Sequence, residues 1–329
     1  MEQRPLGNTG LAVSHLGLGT ATFGREIDQD EAFRVMDYAV EHGVTLFDTA
    51  EGYGGGQAKE YRRKYLGVDD QREVSHEMHS SEKIIGRWLA SRNCRKDIVL
   101  MTKVSTDHTR DHVRQALAAS LERLKTDFAD VYFYHSYDAG TPMEEAVTAM
   151  NEVVKSGHVR VGGCSNYSGQ QLTAAIEFAE RNGMAQFGAL ENSYSLAARE
   201  IETDAMPVCR QRGVGVVAYS PLGAGFLAGK YTPDRNALPK GTRFDVIPGH
   251  MDVYFSETNF TVVKQLHAMA ERVNVPPLRL AMGWVIQNPN VATVLVGARH
   301  PGHIDNALEA KSMEFPAHWM TEMNAFGQS

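Results

Sequence analysis

The chain has 329 residues, of which 43% are hydrophobic and 22% charged, the balance of a globular protein with a sizeable core. Its 40 acidic and 33 basic residues give a formal net charge of −7, which argues against a nucleic-acid-binding surface. No apolar run reaches the ~18 residues of a membrane span, the start MEQRPLGNTG lacks a signal-peptide pattern, and three scattered cysteines without CxxC spacing favour the cytoplasm.

Short apolar runs recur along the whole chain. In chain order they lie near residues 15–20, 44–48, 98–103, 129–135, 159–165, 187–191, 215–220 and 292–297. They are rich in Val, Leu, Ile and aromatic residues and are mostly apolar throughout, as strands buried on both faces are. We therefore predict eight buried strands.

Amphipathic segments with helical spacing lie between these runs. In the first, Phe33, Met36 and Val40 fall on one face, and Gly43 is the expected cap at its end. Another begins at Ser168, with Gln171 three residues later, as in a capping box. The stripe that follows Ser168 comprises Leu172, Ala175, Ile176 and Ala179, and two further stripes comprise Val113, Ala116, Leu117, Ser120, Leu121 and Leu124, and Val262, Leu266, Met269, Ala270 and Val273. We interpret all of these stripes as core packing.

Alternation of strands and helices predicts a parallel sheet, either doubly wound or closed into a barrel. A doubly wound dinucleotide-binding domain carries GxGxxG directly after its first strand. Here the first strand runs into GTATFG at residues 19–24, which lacks that fingerprint. Eight strands without it favour a (β/α)8 TIM barrel, and we predict one domain over residues 1–329.

The functional side chains of such a barrel lie at the C-terminal ends of its strands. Those ends carry Asp48, Lys103, His135, Ser165, Asn166, Glu191, Tyr219, Ser220 and Arg299. Because runs that are otherwise apolar place these polar groups on one rim, the sequence predicts an active site there.

Five short blocks follow one another in a specific order. They are LFDTAEGYG at 46–54, Thr102-Lys103, Tyr134-His135, GHVRVGGCSN at 157–166 and YSPLGAG at 219–225. In this order and spacing the blocks resemble the FDTA…YG, lysine, histidine, GKVR…GVSN and YSPLG segments of the aldo-keto reductase family. The resemblance covers nearly the whole chain and implies hydride transfer between NADP(H) and a small-molecule carbonyl or alcohol.

The resemblance implies that Asp48, Tyr53, Lys103 and His135 are the catalytic residues. Reduction of a carbonyl builds negative charge on oxygen, which requires a proton donor and hydrogen bonds placed in advance. A Lys103 ammonium beside Tyr53 would lower the pKa of that phenol. Asp48 would keep Lys103 charged and oriented, and His135 would position the substrate oxygen.

The resemblance also implies a set of cofactor-binding residues. Ser165, Asn166 and Glu191 would bind the carboxamide, and Tyr219 would stack on the nicotinamide ring. The remaining residues are Gly19 and Thr20 at the first strand, Ser220, Leu222 and Gly225 at the pyrophosphate, and Gly297, Arg299, His303 and Asn306 at the adenosine phosphate. Arg299 suits a 2′-phosphate, because arginine is always charged and binds it bidentately. We therefore expect NADP(H), with NAD(H) as the alternative if Arg299 is a rim arginine paired to an acid.

Two features depart from the family pattern. Glu191 stands where the family usually has glutamine, and an ionised carboxylate there would favour the oxidised, positively charged ring. The segment 55–80 is an insertion after the catalytic tyrosine, charged and containing Tyr61, Tyr65, His76 and His79. Loops at this rim commonly carry function, so we expect it to shape the substrate pocket or an oligomer contact. Assembly into a homo-oligomer is compatible with this sequence.

Three alternative interpretations follow from the same sequence. A barrel aldolase would use Lys103 as a Schiff base, but its lysine needs a depressed pKa, which Asp48 would counter. A cofactor-sensing subunit is the second alternative, since channel-associated members of the family bind NADPH with little turnover. His108 and His112 have helical spacing but lack a third ligand, so no metal site is expected.

Overall fold

The computed structural model describes residues 1–56, 63–64 and 73–328. Eight parallel strands close into a barrel in the order of the chain, and the last strand pairs with the first. Helices lie between the strands. The predicted (β/α)8 TIM barrel is therefore confirmed.

The barrel strands follow an N-terminal hairpin. The hairpin strands are β1 (Gln3–Pro5) and β2 (Ala12–Ser14), and the barrel strands are β3 (Leu16–Gly19), β4 (Leu46–Asp48), β5 (Val99–Val104), β6 (Ala129–Tyr134), β7 (Val159–Ser165), β8 (Ala189–Ser193), β9 (Gly215–Tyr219) and β10 (Val291–Gly297). The predicted bounds agree within two residues at every end. The largest difference is β8, which was predicted over 187–191. Its ladder extends further because Asn192 and Ser193 pair with β9.

The hairpin was not predicted. β1 and β2 pair in antiparallel fashion, and the turn between them has Gly7 and Gly10 at φ values of 54° and 77°. Leu6, Leu11 and Val13 are buried and pack against the side chains inside the barrel. The hairpin therefore closes the N-terminal end of the barrel and leaves the other end for the site.

The helices, in chain order, are α1 (Gln29–Glu41), α2 (Ser80–Arg92), α3 (Arg110–Leu124), α4 (Met143–Lys155), α5 (Gly169–Arg181), α6 (Ala205–Arg212), α7 (Arg243–Val246), α8 (Met251–Tyr254), α9 (Glu257–Val273), α10 (Pro277–Ile286), α11 (Pro301–Ser312) and α12 (Ala317–Asn324). All six residues of the predicted α3 stripe are buried. Ser168 and Gln171 form the predicted capping box of α5. Gly43 follows the C-cap residue of α1 with a φ of 76°.

The core has two parts, one inside the barrel and one between the barrel and its helices. Because all eight strands are parallel, their C-terminal ends lie on one edge, and the loops that leave them surround a common mouth. Within the described ranges, no helix is both long and apolar enough to cross a membrane.

Candidate active site

The four residues predicted to be catalytic converge at the C-terminal mouth of the barrel. Asp48 ends β4, Lys103 lies near the end of β5, and His135 follows β6. Tyr53 lies on the loop that leaves β4. This loop is tied to β5, because the Glu51 N–H donates to the Lys103 carbonyl at 3.1 Å. The tie holds Tyr53 above Lys103.

The Lys103 ammonium is the centre of the cluster and is fully buried. It forms an ion pair with Asp48 and donates to the Thr49 carbonyl at 3.1 Å. It also lies 3.4 Å from the Tyr53 hydroxyl and 3.3 Å from Glu191 Oε1. A buried ammonium requires such partners, since an unpaired charge away from water is costly.

Burial and charge act in opposite directions on these groups. Burial lowers the pKa of Lys103, but the carboxylates of Asp48 and Glu191 outweigh it and hold that pKa above its ordinary value. Burial raises the pKa of Tyr53, and Lys103 only partly offsets this increase. The expectation of a lowered Tyr53 pKa was therefore wrong in its net direction. Lys103 does lower the pKa, but loss of hydration of the phenolate has the larger effect.

His135 packs edge-on against Tyr53, with 5.3 Å between the ring centroids and an angle of 79° between the planes. Burial, with a smaller effect from Lys103, lowers the pKa of His135 to about 3. The imidazole is therefore neutral at neutral pH and can donate one N–H bond to a ligand.

Glu191 lies in the same cluster, a contact that was not predicted from the sequence. Its side chain is 2% exposed, and its Oε2 atom has no hydrogen-bond partner among the residues that the structure describes. Burial and then Asp48 raise the pKa of Glu191 to about 8, against the opposing effect of Lys103. A buried polar atom without a partner is unusual in a folded protein and suggests that a ligand group satisfies it.

Asn166 joins the other residues predicted at the nicotinamide. It has a φ of 58° and accepts a hydrogen bond from the Tyr219 hydroxyl at 2.7 Å. Its amide donates to the His135 carbonyl at 2.9 Å and to Ser165 Oγ at 3.1 Å. Ser165, at the end of β7, is buried. The polar groups from β6, β7 and β9 thus face one mouth.

Gly19 and Thr20 support the site from β3. Gly19 pairs with Asp48 on one side and with Gly297 on the other. The buried Thr20 hydroxyl donates to the Asp48 carbonyl at 2.7 Å and lies 2.8 Å from Ser81 Oγ. In the structure, Thr20 therefore binds the backbone of Asp48. This contact with Ser81 was not predicted from the sequence.

The loop after β9 contains Ser220, Leu222 and Gly225. Four of its residues have positive φ, namely Ser220 (53°), Gly223 (57°), Ala224 (54°) and Gly225 (88°). A Cβ atom built on Gly225 would lie 3.8 Å from Lys230 Nζ. Turns of this kind form concave backbone surfaces that bind anions, and the lysine adds positive charge.

Arg299 lies at the side of the mouth next to β10 and is paired to an acid. Its guanidinium is 3.4 Å from Glu26, which is also 3.4 Å from Arg243 and 3.7 Å from Arg25. The Glu26 carboxylate thus contacts all three arginines. Only Arg299 had been singled out from the sequence.

The helix α11 carries His303 and Asn306, the other two residues predicted at the adenosine phosphate. The Arg299 N–H donates to His303 Nδ1 at 3.1 Å, and the His303 ring lies 3.9 Å from that of His300. Burial, with His300 and Arg299, lowers the pKa of His303 to about 4, so that its ring is neutral and can accept. Asn306 is exposed on α11.

The insertion is described only in part, and Tyr61 and Tyr65 lie outside the described residues. The Gly56 N–H donates to the Glu73 carboxylate, and the Ser75 N–H donates to the Gly24 carbonyl at 2.9 Å. The His79 ring bonds to the Glu51 carbonyl at 2.7 Å, whereas His76 is exposed. The insertion therefore returns beside the loop that follows β3.

The histidines with helical spacing lie apart from this site. His108 is buried and stacks on Tyr134 with 3.8 Å between ring centroids, and His112 lies 3.8 Å from Asp107. In the parts of the chain that the structure describes, no group of three His, Cys, Asp or Glu residues could hold a metal ion.

Comparisons with known proteins agree with this arrangement. The model of the Aldo/keto reductase family matches residues 15–328. A probable voltage-gated potassium channel subunit beta of Arabidopsis thaliana is 32% identical over 328 residues, which cover 94% of this chain and 91% of that protein. The uncharacterized oxidoreductase YrpG of Bacillus subtilis (strain 168) is 32% identical over 324 residues, with the same two coverages of 94% and 91%.

Proposed function

This chain belongs to the aldo/keto reductase family, and on that premise we propose that it is an NADP(H)-dependent enzyme that transfers a hydride between nicotinamide and a carbonyl or alcohol. The main support is the contact of 3.4 Å between the Tyr53 hydroxyl and the buried Lys103 ammonium at the barrel mouth. A phenol in this position can give its proton to a carbonyl oxygen, because the ammonium stabilises the phenolate that remains.

The mouth suits a nicotinamide cofactor, which supplies the hydride. Glu191 Oε2 lacks a partner among the described residues, and the carboxamide NH2 would satisfy it. Ser165 and Asn166 would bind the same carboxamide, and Tyr219 would lie against the ring. The backbone of residues 220–225 would bind the pyrophosphate, and the Lys230 ammonium near Gly225 would add positive charge.

Each catalytic residue then has one role during reduction. Tyr53 donates its proton to the carbonyl oxygen, and Lys103 stabilises the resulting phenolate. The neutral His135 donates an N–H bond that positions this oxygen. Asp48 is a positioning residue, since it holds Lys103 through their ion pair. These donors are placed before charge develops, which is how preorganised sites lower a barrier.

The choice of NADP(H) over NAD(H) rests on Arg299 and Arg243, whose charge suits a 2′-phosphate. Glu26 opposes it, so NAD(H) remains the alternative. The polar insertion supports a hydroxylated or sugar-like carbonyl, with small aldehydes as the alternative. We propose a single domain over residues 1–329 that works in the cytoplasm, where its three free cysteines would stay reduced.

The test is a panel of carbonyls and alcohols, followed by nicotinamide absorbance with NADPH and NADH. We expect reduction with at least one carbonyl, and Tyr53→Phe should lower kcat by about a hundredfold or more, since general acid catalysis contributes about that much. The variant should still bind NADPH. Unchanged turnover in Tyr53→Phe would overturn the assignment.

A second candidate follows from the printed names of relatives. The Arabidopsis thaliana protein and one from Oryza sativa subsp. japonica, 30% identical over 328 residues, are both called probable voltage-gated potassium channel subunit beta. A cofactor-sensing subunit would bind NADPH tightly and turn over slowly in the same assay. The aldolase alternative loses support, because Asp48 and Glu191 hold the pKa of Lys103 high. Borohydride trapping on Lys103 would reverse that judgement.

A further inference from the structure

Asp48, Glu191 and Lys103 form a buried cluster with two carboxyl groups and one ammonium. The three side chains are at most 2% exposed. With both carboxyl groups ionised the cluster has a net charge of −1, and one added proton makes it neutral. Since a net charge removed from water is costly, burial favours the state in which the pair of carboxyl groups holds one proton.

The contacts favour Glu191 over Asp48 as the carrier of this proton. Asp48 bonds directly to the ammonium, whereas Glu191 Oε1 lies 3.3 Å from it and Oε2 has no partner among the described residues. The charged and titratable groups that face Glu191 are Asp48 from β4, Tyr53 from the next loop, Lys103 from β5 and Tyr219 from β9. Lys103 is the one cation among these four.

We propose that Glu191 keeps its proton beside the reduced, uncharged nicotinamide ring and releases it beside the oxidised, positively charged ring. The inference rests on the proposed function and assigns to this site a proton that is coupled to the redox state of the cofactor. Its physical basis is electrostatic, because a nearby positive charge favours the carboxylate over the neutral acid.

The proton balance of the reaction follows. During carbonyl reduction the O–H bond of Tyr53 breaks and an O–H bond forms on the substrate. The phenolate takes a proton from Lys103 at 3.4 Å, and Lys103 takes the proton of Glu191 at 3.3 Å. Tyr53 and Lys103 return to their starting states, and Glu191 is left as a carboxylate. Alcohol oxidation runs the same transfers in reverse.

Calorimetric titration of the whole protein with NADP+ and with NADPH tests the proposal. Each titration is performed near pH 7 in two buffers of different ionisation enthalpy, which gives the number of protons released on binding. We expect more protons released with NADP+ than with NADPH. Both nucleotides carry the same phosphates, so the difference between them isolates the ring. At about pH 10 Glu191 is already ionised, and the difference should disappear.

Two variants separate Glu191 from other carboxylates. Glu191→Gln should remove the difference between the nucleotides, because its amide cannot titrate. Glu51→Gln is the matched control, since Glu51 lies on the same rim but accepts the Ser105 N–H at 2.7 Å. This control should release protons as the wild type does. The ratio of the Kd values for NADPH and NADP+ should rise about tenfold between pH 6 and 9 in the wild type, which corresponds to a Glu191 pKa difference of about one.

Equal proton release with both nucleotides in the wild type would overturn the proposal, and so would a Glu191→Gln variant that behaves as the wild type. If Glu191→Gln does not fold, the test is the ratio of the wild-type Kd values for NADPH and NADP+. A ratio that does not change with pH would contradict the proposal. Failure of the protein to bind either nucleotide is a different result. It would overturn the proposed function itself.

Discussion

The Arg299 guanidinium lies 3.4 Å from the Glu26 carboxylate, although the two residues are 273 positions apart in the chain. Arg243, at the start of α7, reaches the same carboxylate, so that the loops after β3 and β10 and the start of α7 meet at one side of the mouth. Because the carboxylate cancels part of the arginine charge, Glu26 controls how strongly this region attracts a phosphate.

Glu26→Gln should therefore lower the KM for NADPH by a few-fold, about 1 kcal/mol, because Arg299 is half exposed and solvent screens its charge. The KM for NADH, which lacks the 2′-phosphate, should change little. Arg299→Leu should have the opposite effect and raise the KM for NADPH selectively. Steady-state kinetics with both nucleotides provides the measurement. A parallel change for NADPH and NADH in either variant would place the 2′-phosphate elsewhere.

Lys103→Met should destabilise the protein by about 3–5 kcal/mol, because it leaves buried carboxyl groups without their ammonium partner. The double variant Lys103→Met with Asp48→Asn should regain most of this stability while remaining inactive. Urea denaturation and kcat give the two readouts. Restored activity in the double variant would mean that the lysine has only a structural role.

His108 should make the protein less stable in acid. Burial lowers the pKa of His108 to about 4, below the value of about 6.5 expected in the unfolded chain. The unfolded state therefore binds more protons between these values, and stability is lost as the pH falls below about 6.5. This side chain alone should contribute about 2 kcal/mol of loss between pH 7 and 5.

His108→Phe retains a ring that can stack on Tyr134 and removes the titration. Its free energy of unfolding should therefore fall less between pH 7 and 5 than that of the wild type. His112→Asn, in the first turn of α3, is the control and should lose as much stability as the wild type. Equal pH dependence of His108→Phe and the wild type would show that His108 does not titrate as expected.

Replacement of residues 57–72 by a short Gly-Ser linker should leave NADPH binding intact and change substrate preference or oligomeric state. A short linker suffices, because Gly56 and Glu73 are joined by a hydrogen bond. Binding titrations, the substrate panel and size-exclusion chromatography with light scattering are the measurements. If both substrate preference and assembly match the wild type, the insertion serves neither purpose.

The strands were readily predicted because a strand buried on both faces is apolar along its whole length. The same argument identified Asp48 and Lys103, which are the polar residues at the ends of such runs. The N-terminal hairpin escaped prediction, since its two strands have three residues each and carry no comparable pattern. Its turn glycines were the available signal.

The contacts between distant segments could not be predicted in the same way. Glu191 was recognised from its position in β8, but its contact with Lys103 depends on how two strands that are not neighbours face each other across the barrel. Glu26 was not singled out, because a single acidic residue in a loop is usually solvated. Its burial among arginines arises from three loops that only the closed barrel brings together.

The amino-acid sequence by itself determined the order of the strands and which polar residues lie on the rim, since both depend on local patterns of burial. The tertiary structure alone decided the protonation of that rim. Lys103 was expected to lower the pKa of Tyr53, yet the net direction is upward because burial outweighs the ammonium. Charge balance depends on distances between remote residues and on the exclusion of water, and neither is encoded in local spacing.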